Sequence, residues 1–590
     1  MIIGALVKRY EDTQTVLQGW KKRAVSYALN LSENGELLGV IPLEWEDTIV
    51  LGGKEKKTLR KLELVLPEPE VRSSGIKAAF LCDDASYLFG IDEKRGTAKF
   101  AADKELHLRI LESVESPSAQ AIKAWFSTGI KTTDTEIIQT AIPNEKVLSQ
   151  ALFVFHVNGK HVDYDDPDMR TAWESEYFST SEQNEEKMLC LITGKHTTPE
   201  RIHGKIKLRG GQSAGSNLVS INAESFASYG KTAKDRAADI GKYAAFAHVT
   251  ALNDLLQDEK HRQFIGTDTL VYWADENSKP ETKAFGELLN IPANSQEEDT
   301  TDDYWDIPIQ ESDSDKLSDI AEKVANAKYF DFDNCDMNCK FYLLCLSPNA
   351  ARVSIRFFYV STFGEIVNNL RSHYNNLKIA SDNRTKFSNL PYWIILNETT
   401  ATVKKESSKV APLLGGQLIQ SIIKGITYPQ TLYNAMLIRI RAGEEINQTK
   451  AAVIKAVLIK NFNEKEVTTV ELNKETCNKP YVLGRLFAVL EQLQYRAQGS
   501  LNSNIRDRYF ASACANPNNV FPTLLKLSMH HTAKLDNATC FEKSKGELLV
   551  KLDDPNPFPS ALSMGDQGRF ILGYYHQKQA FFAKKEESHE

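Results

Sequence analysis

Apolar positions along this chain follow two periods. Up to about residue 400 most apolar runs are short, alternating or continuous over a few residues, as in strands. Beyond about residue 405 they recur every three to four residues, as on one face of a helix. In the first part, Ile3, Leu6, Tyr10 and Leu17 lie near one face of a helix within residues 1–20. Val25, Tyr27, Leu29 and Leu31 alternate, Asn34-Gly35 is a hairpin signal, and Leu37–Ile41 is the returning strand. Two strands need further cover, and Leu62–Leu66 and a strand ending at Phe80 are the candidate partners. Between the hairpin and Leu62, residues 52–57 (GGKEKK) read as a flexible basic loop. Residues 105–150 read as helical with polar breaks, and Ala151–Val157 as a strand closed by Asn158-Gly159. A helix starts near Asp165–Asp168, Leu189–Ile192 reads as a buried strand, and Tyr243–Leu256 as a helix. Lys340–Leu346 and Ala351–Val360 read as strands about Ser347-Pro348-Asn349, with a helix over Phe363–His373.

The helical part comprises Pro412–Gly425, Pro429–Arg441, Lys450–Asn461, Tyr481–Gln498, Pro522–Lys534 and a piece near Ser560–Lys578. The predicted fold is therefore α+β: an N-terminal mixed α/β region with antiparallel sheets over residues 1–404, and a C-terminal all-helical bundle over 405–590. Within the bundle, Asn516–Asn519 reads as a loop and Pro522 as a first-turn proline. Lys526, His530 and Lys534 then share one helical face, with Leu524, Leu527, His531 and Leu535 on another.

Length and composition change this picture little. At 590 residues the chain exceeds a single core, and two to four domains are expected. The 42% hydrophobic and 25% charged content is that of an ordinary globular protein. Eight cysteines in a chain this long make no disulfide scaffold. The start turns polar at once, without a signal-peptide pattern, and no run reaches the roughly 18 apolar residues of a membrane span. The expectation is a soluble, cytoplasmic protein.

Catalytic motifs are not found. Gly210–Asn217 offers glycines but not the lysine of a phosphate-binding nucleotide loop, and there is no G-x-S-x-G elbow. Cys335 and Cys339 are spaced slightly beyond a zinc knuckle with no second knuckle following, and Cys345 lies in an apolar run. His530 and His531, being adjacent, point about 100° apart on a helix. Asp331, Asp333 and Asp336 lack the glycine and distal glutamate of a calcium loop. No catalytic residue, metal or cofactor is expected.

What stands out is local basicity under a net charge of -7. Arg201, His203, Lys205, Lys207 and Arg209 share one parity, so a strand here has one basic face. The small-residue loop Gly210–Asn217 follows, with backbone N–H groups to offer. Residues 485–534 carry six Lys/Arg against two acidic residues. The acidic stretch at about 291–316 keeps the total negative. Such patches suit a protein that lies along a polyanion, cations fixing phosphates and amide or hydroxyl side chains reaching base edges.

Several stretches also carry a family likeness. They are LSENGELLGVIPL (31–43), INAESFASYGKTAKDRAADIGKYAAFAHVTALNDLL (221–256), YVLGRLFAVLEQLQYRA (481–497), IRDRYFASACANPNNVFPTLLKLSMHH (505–531) and FPSALSMGDQGRFILGYYHQKQA (558–580). In these the chain resembles the large subunit of the type I-C CRISPR Cascade antiviral surveillance complex, of Csd type. The resemblance implies a non-catalytic subunit of an RNA-guided complex. Such a subunit recognises the protospacer-adjacent motif in duplex DNA, helps to open the duplex and form the R-loop, supports the displaced strand and presents the complex to a separate helicase-nuclease. Implied partners are the CRISPR guide RNA, target double-stranded DNA and its displaced strand, the handle-binding and backbone Cascade subunits, and a small subunit that the helical part resembles. No membrane is involved. The alternatives are a scaffold that binds RNA and protein only, and a metal-dependent nuclease.

Basic spacing and loop composition nominate Lys54, Lys56, Lys57, Arg72, Lys77, Lys205, Lys207, Arg209, Gln212 and Asn217 for motif reading or phosphate contact. For the single-strand path they nominate Arg496, Arg506, Arg508, Lys526 and Lys534.

Overall fold

The computed structural model describes residues 1–14, 16–51, 54–70, 75–91, 94–162, 166–182, 187–221, 223–229, 231, 238–275, 279–289, 334–380, 390–400, 410–411, 413–499, 503–553 and 555–582. The acidic stretch expected at 291–316 and Arg72 lie outside them. The chain divides into two compact units, Met1–Gly204 with Val219–Ala251, and Lys205–Leu218 with Leu252–Glu590. Among the described residues no helix is long and apolar enough to cross a membrane.

The first unit opens with α1 (Ile2–Thr13), followed by β1 (Trp20–Val25), β2 (Tyr27–Leu31), β3 (Leu37–Pro42), β4 (Glu44–Leu51) and β5 (Lys54–Pro67). Next come β6 (Cys82–Asp84), α2 (Ala85–Leu88), α3 (Gly96–Ile110), α4 (Pro117–Thr128), α5 (Thr132–Ala141) and α6 (Glu145–Gln150). The unit continues with β7 (Leu152–Val157), β8 (Lys160–His161), α7 (Pro167–Glu182), β9 (Met188–Leu189) and β10 (His196–Thr197), and α8 (Lys242–Gln257) begins in it. The β2–β3 hairpin forms as its Asn34-Gly35 signal predicts. Gly35 has φ +77°, and a methyl there would stand 2.6 Å from the Ala121 carbonyl oxygen, so only glycine fits.

The hairpin's partner is not Leu62–Leu66 or the segment before Phe80. β7 pairs in parallel with β2, giving the order β3-β2-β7-β6 with β8 on β7. β7 is buried at nearly every position, as a central strand is; Phe155 meets Trp125 and Phe126 of α4, and Phe153 meets Phe89, within one core. Leu62–Leu66 belongs instead to β5, in a separate sheet of order β1-β5-β4. The loop expected at 52–57 is correspondingly shorter: Lys54 pairs with Leu51, Lys56 with Ile49 and Lys57 with Thr48 on the β4–β5 ladder. β-Branched Thr48, Ile49 and Val50 favour the ladder over a loop. Leu189–Ile192 is not a buried strand, because Leu189 and Leu191 are exposed. Only Cys190 is enclosed there, its Sγ accepting from the Gly241 amide at 3.3 Å.

Also in this unit, His203 and His248 are buried with ring centroids 5.3 Å apart. His248 Nδ1 bonds the Ala244 carbonyl at 2.7 Å, while His248 Nε2 and both His203 nitrogens have no hydrogen-bond partner. Burial, with His248 beside it, pushes His203 down to about 4, and burial also lowers His248. A pKa depressed in the folded state makes a stabilising contribution that is present above the unfolded value of about 6.5 and is lost as pH falls toward 4. That contribution is of the order of 3 kcal/mol for His203. Thermal unfolding between pH 7 and pH 4 is expected to show this loss, and His203→Phe is expected to flatten it.

The second unit holds an antiparallel meander of β11 (Arg262–Ile265), β12 (Asp268–Ala274), β13 (Lys340–Asn349) and β14 (Arg352–Thr362). Its helices are α9 (Lys279–Leu288), α10 (Phe363–Leu377), α11 (Tyr392–Asn397), α12 (Leu414–Lys424), α13 (Gln430–Arg441) and α14 (Gln448–Phe462). They continue with α15 (Lys479–Gln498), α16 (Ile505–Ala515), α17 (Pro517–Thr532), α18 (Thr539–Lys551) and α19 (Met564–Phe582). Phe341, Leu343, Cys345 and Phe357 of the sheet share one core with Phe363 and Leu370 of α10 and with the later helices. α15 and α19 cross backbone to backbone: methyl groups on Gly484 and Gly573 would overlap the Phe570 and Tyr481 carbonyls. One sheet and a bundle thus complete the α+β fold.

Candidate nucleic-acid interface

Lys205–Asn217 forms a hairpin closed by a single antiparallel pair, not the strand expected over 201–209. Ile206 and Ser216 exchange both backbone hydrogen bonds at 2.8 Å. The expected alternation holds within it. Ile206 and Leu208 are buried, while Lys205, Lys207 and Arg209 are exposed. It fails just before, where His203 is buried and Ile202 exposed. Buried apolar Ile206 and Leu208 therefore set which side the cations occupy.

Two tight turns shape the loop: Gly211 N–H donates to the Leu208 carbonyl at 3.0 Å and Gly215 N–H to that of Gln212 at 2.8 Å. These two amides are used internally. Gly215 has φ +83°, and a methyl on it would stand 2.8 Å from Lys205 Cβ. Gln212 and Ser213 are exposed between the turns.

Distant residues of the same unit brace the hairpin. Asn253, near the end of α8, accepts from the Lys207 amide and donates to the Lys205 carbonyl, both at 2.9 Å. Ser216 Oγ donates to the Ala350 carbonyl at 3.0 Å. The Asn217 amide donates to Ala351 at 2.9 Å, and its carbonyl accepts from Val353 at 3.0 Å, which ties the hairpin to β14. Asn217 is half-buried, its Oδ1 enclosed and without a hydrogen-bond partner. The Arg209 guanidinium lies over the Phe264 ring at 4.6 Å, and Arg262 lies over the same ring at 5.1 Å. Nothing in chain order announces Asn253, Phe264 or the β13–β14 turn as supports, because each reaches the hairpin only through the tertiary fold.

A second group of nominated cations sits on the helices. Arg496 is exposed in the last turn of α15. Arg508 is exposed, with Nε donating to Ser503 Oγ at 3.0 Å. Arg506 is half-buried and donates to the Glu444 carbonyl at 2.7 Å. Neighbouring acids have other tasks: Asp507 closes a capping box with Asn504, and Glu491 accepts from Tyr574 at 2.6 Å. On α17, Lys526 and His530 are exposed while Leu524 and His531 are buried, the two-faced arrangement its periodicity predicts; Lys534, also exposed, lies in the turn just beyond the helix end rather than on the helix as expected. The helix starts earlier than expected. Pro517 takes the first turn and Pro522 lies inside, because buried Val520 and Phe521 carry the helix back toward Asn516. Arg485, counted in the basic block, is buried. It bonds Gln577 Oε1 at 3.1 Å and the Asn473 and Lys474 carbonyls at 3.2 and 3.3 Å.

In the first unit, Lys77 Nζ pairs with Glu70 at 2.8 Å. Lys54, Lys56 and Lys57 lie on β5, and Arg72 is outside the described residues. Among the described residues no three His, Cys, Asp or Glu side chains converge as a metal site would require. Cys345 is buried in β13, and burial pushes its thiol up.

Two sets of exposed cations thus lie on braced elements, one of them beside the exposed Gln212 amide. Residues 6–582 match the family described as CRISPR-associated protein (Cas_Csd1), and the chain is a CRISPR Cascade subunit. It belongs to the Cas_Csd1 family, in keeping with the type I-C large subunit that its motifs resemble. No curated protein matches it.

Proposed function

We propose that this chain is the non-catalytic Cascade subunit that reads the protospacer-adjacent motif on duplex DNA and helps to open it. The observation that carries the reading is the braced hairpin, with Lys205, Lys207 and Arg209 on its exposed side and Gln212 between its turns. Lysine and arginine fix phosphate positions without reading sequence; an amide can pair with a base edge. Asn217 holds the foot of the hairpin on β14. Lys54, Lys56, Lys57, Arg72 and Lys77 extend phosphate contact from the first unit. Arg496, Arg508, Lys526 and Lys534 support the displaced strand, and Arg506 shapes that surface through Glu444. Guide RNA pairing then supplies sequence specificity while the protein reads motif and shape. The handle-binding, backbone and small subunits are the neighbours in the complex, a separate helicase-nuclease is its recruit, and the site of action is the cytoplasm.

The test is Gln212→Ala in the assembled complex. Discrimination between duplexes with and without the motif is expected to fall by roughly 5- to 100-fold, the worth of one good base contact. Non-motif binding should stay unchanged. Equal weakening on both duplexes would make Gln212 a positioning residue and remove it as a reader.

A further inference from the structure

Tyr229 exposes 97% of its surface and stands in left-handed backbone at φ +54°. It occupies the first of the two positions between Ser228 and Lys231, which pair as a single antiparallel bridge with N···O distances of 3.3 and 3.0 Å. Tight hairpin turns require left-handed backbone at this position, which glycine and asparagine adopt readily and a bulky ring does not. The turn is pinned by Lys231, whose Nζ meets Asp239 Oδ2 at 2.7 Å. Just upstream, a short 3-10 turn (Glu224–Phe226) presents Phe226, 51% exposed. Residues 224–229 are all exposed. The ring of Tyr229 buries almost nothing, so neither its strain nor its exposure serves the fold.

The surroundings narrow what such a ring would meet. A protein-binding hot spot sits in a well-packed patch sheltered from water. Here Ser225, Ala227 and Ser228 flank the aromatics, and all three are exposed. Among the described residues from 223 to 231 the charged side chains are Glu224 and Lys231, and Lys231 is held by Asp239, so these residues form no phosphate clamp. A tyrosine open on both faces, with no phosphate clamp beside it among the described residues, matches the aromatic platform on which an unpaired base stacks. We propose that Tyr229 stacks on one unpaired nucleobase in the assembled complex. The base comes from the guide RNA or from the opened target DNA, two sources of one chemistry. The proposal rests on the reading of this chain as a subunit that lies on nucleic acid, and it is independent of motif reading by the 205–217 hairpin.

The experiment uses the complete guide-RNA complex with the full chain. One arm carries 4-thiouridine in the guide RNA, the other 4-thiothymidine in the target duplex. After irradiation, mass spectrometry maps the crosslinked residue. A crosslink at Tyr229 in either arm is expected, and the arm that gives it names the source. Affinity for that nucleic acid should fall about tenfold with Tyr229→Ala and be retained with Tyr229→Trp, since base stacking needs the ring alone. Tyr229→Gly should bind as weakly as Tyr229→Ala while melting no lower than the parent, because glycine relieves the left-handed strain. Unchanged binding by Tyr229→Ala would overturn the proposal. So would release of a protein subunit from the complex with no crosslink in either arm, which would make the turn a protein-binding surface. If Gln212→Ala leaves motif discrimination intact while the Tyr229 crosslink forms, motif reading by the hairpin fails and stacking stands.

Discussion

Replacing Lys205, Lys207 and Arg209 together by alanine is expected to lower the slope of log affinity against log salt by about 2.7, roughly 0.9 for each phosphate that is no longer neutralised. Between 1 M and 0.1 M salt that slope is worth a few hundredfold in affinity, so the weakening should be large at low salt and nearly absent at high salt. The three side chains are exposed, and the hairpin that carries them is held by Ile206, Leu208, Ser216 and Asn253. The melting temperature should therefore hardly move, which separates a weakened interface from a damaged fold. The effect should be equal on motif and non-motif duplexes, because phosphate contacts carry no sequence information. An unchanged slope would mean that these cations face solvent or protein in the complex. Arg209 is the most informative member of the set. Its guanidinium already rests on Phe264, so Arg209→Lys would keep the charge and lose the planar stack.

Gly484→Ala is expected to destabilise the second unit by about 3 kcal/mol, the upper end of the usual range for overpacking. The added methyl would overlap the Phe570 carbonyl, and backbone cannot swing aside as the end of a long side chain can. Gly573 faces the Tyr481 carbonyl at the same crossing, so Gly573→Ala should act similarly and the pair should combine less than additively. Gly546 on α18 is the control, with nothing within 4 Å of its added methyl. Gly546→Ala should stabilise by roughly 0.5–1 kcal/mol through helix propensity. Urea unfolding of the three single variants and of the Gly484→Ala/Gly573→Ala double variant measures all of this. A Gly484→Ala variant as stable as Gly546→Ala would contradict the close crossing of α15 and α19. The crossing bears on function because Phe510 of α16 packs on Phe570 and Tyr574 of α19, and α16 carries Arg506 and Arg508. Weakening the crossing should therefore also weaken binding of single-stranded DNA.

The elements with clean local signals were legible from the chain alone. The Asn34-Gly35 hairpin, β7, β13, β14 and the long helices announce themselves through turn chemistry and period. The errors share a physical cause. Leu62–Leu66 has the right pattern for a strand, but pairing partners are chosen by tertiary packing, and β7 outcompetes it for β2. Pro517 and Pro522 are both plausible first-turn prolines. The choice fell to Val520 and Phe521, whose burial is invisible until the core exists. Arg485 looks like its basic neighbours in sequence, yet carbonyls from the 463–478 connection draw it inward. At the candidate interface the exposed parity of Lys205, Lys207 and Arg209 could be read from the sequence. The supports of the hairpin could not, because Asn253 lies 46 residues beyond Lys207, and Ala350 in the β13–β14 turn lies 134 beyond Ser216.

The most direct test of the central claim is binding of the guide-RNA complex, assembled with and without this chain, to matched duplexes that differ only in the few base pairs beside the target. Discrimination between those duplexes should appear only when the chain is present, and should fade when Gln212 is replaced. Equal selectivity without the chain would contradict motif reading by this subunit and leave it the role of a scaffold.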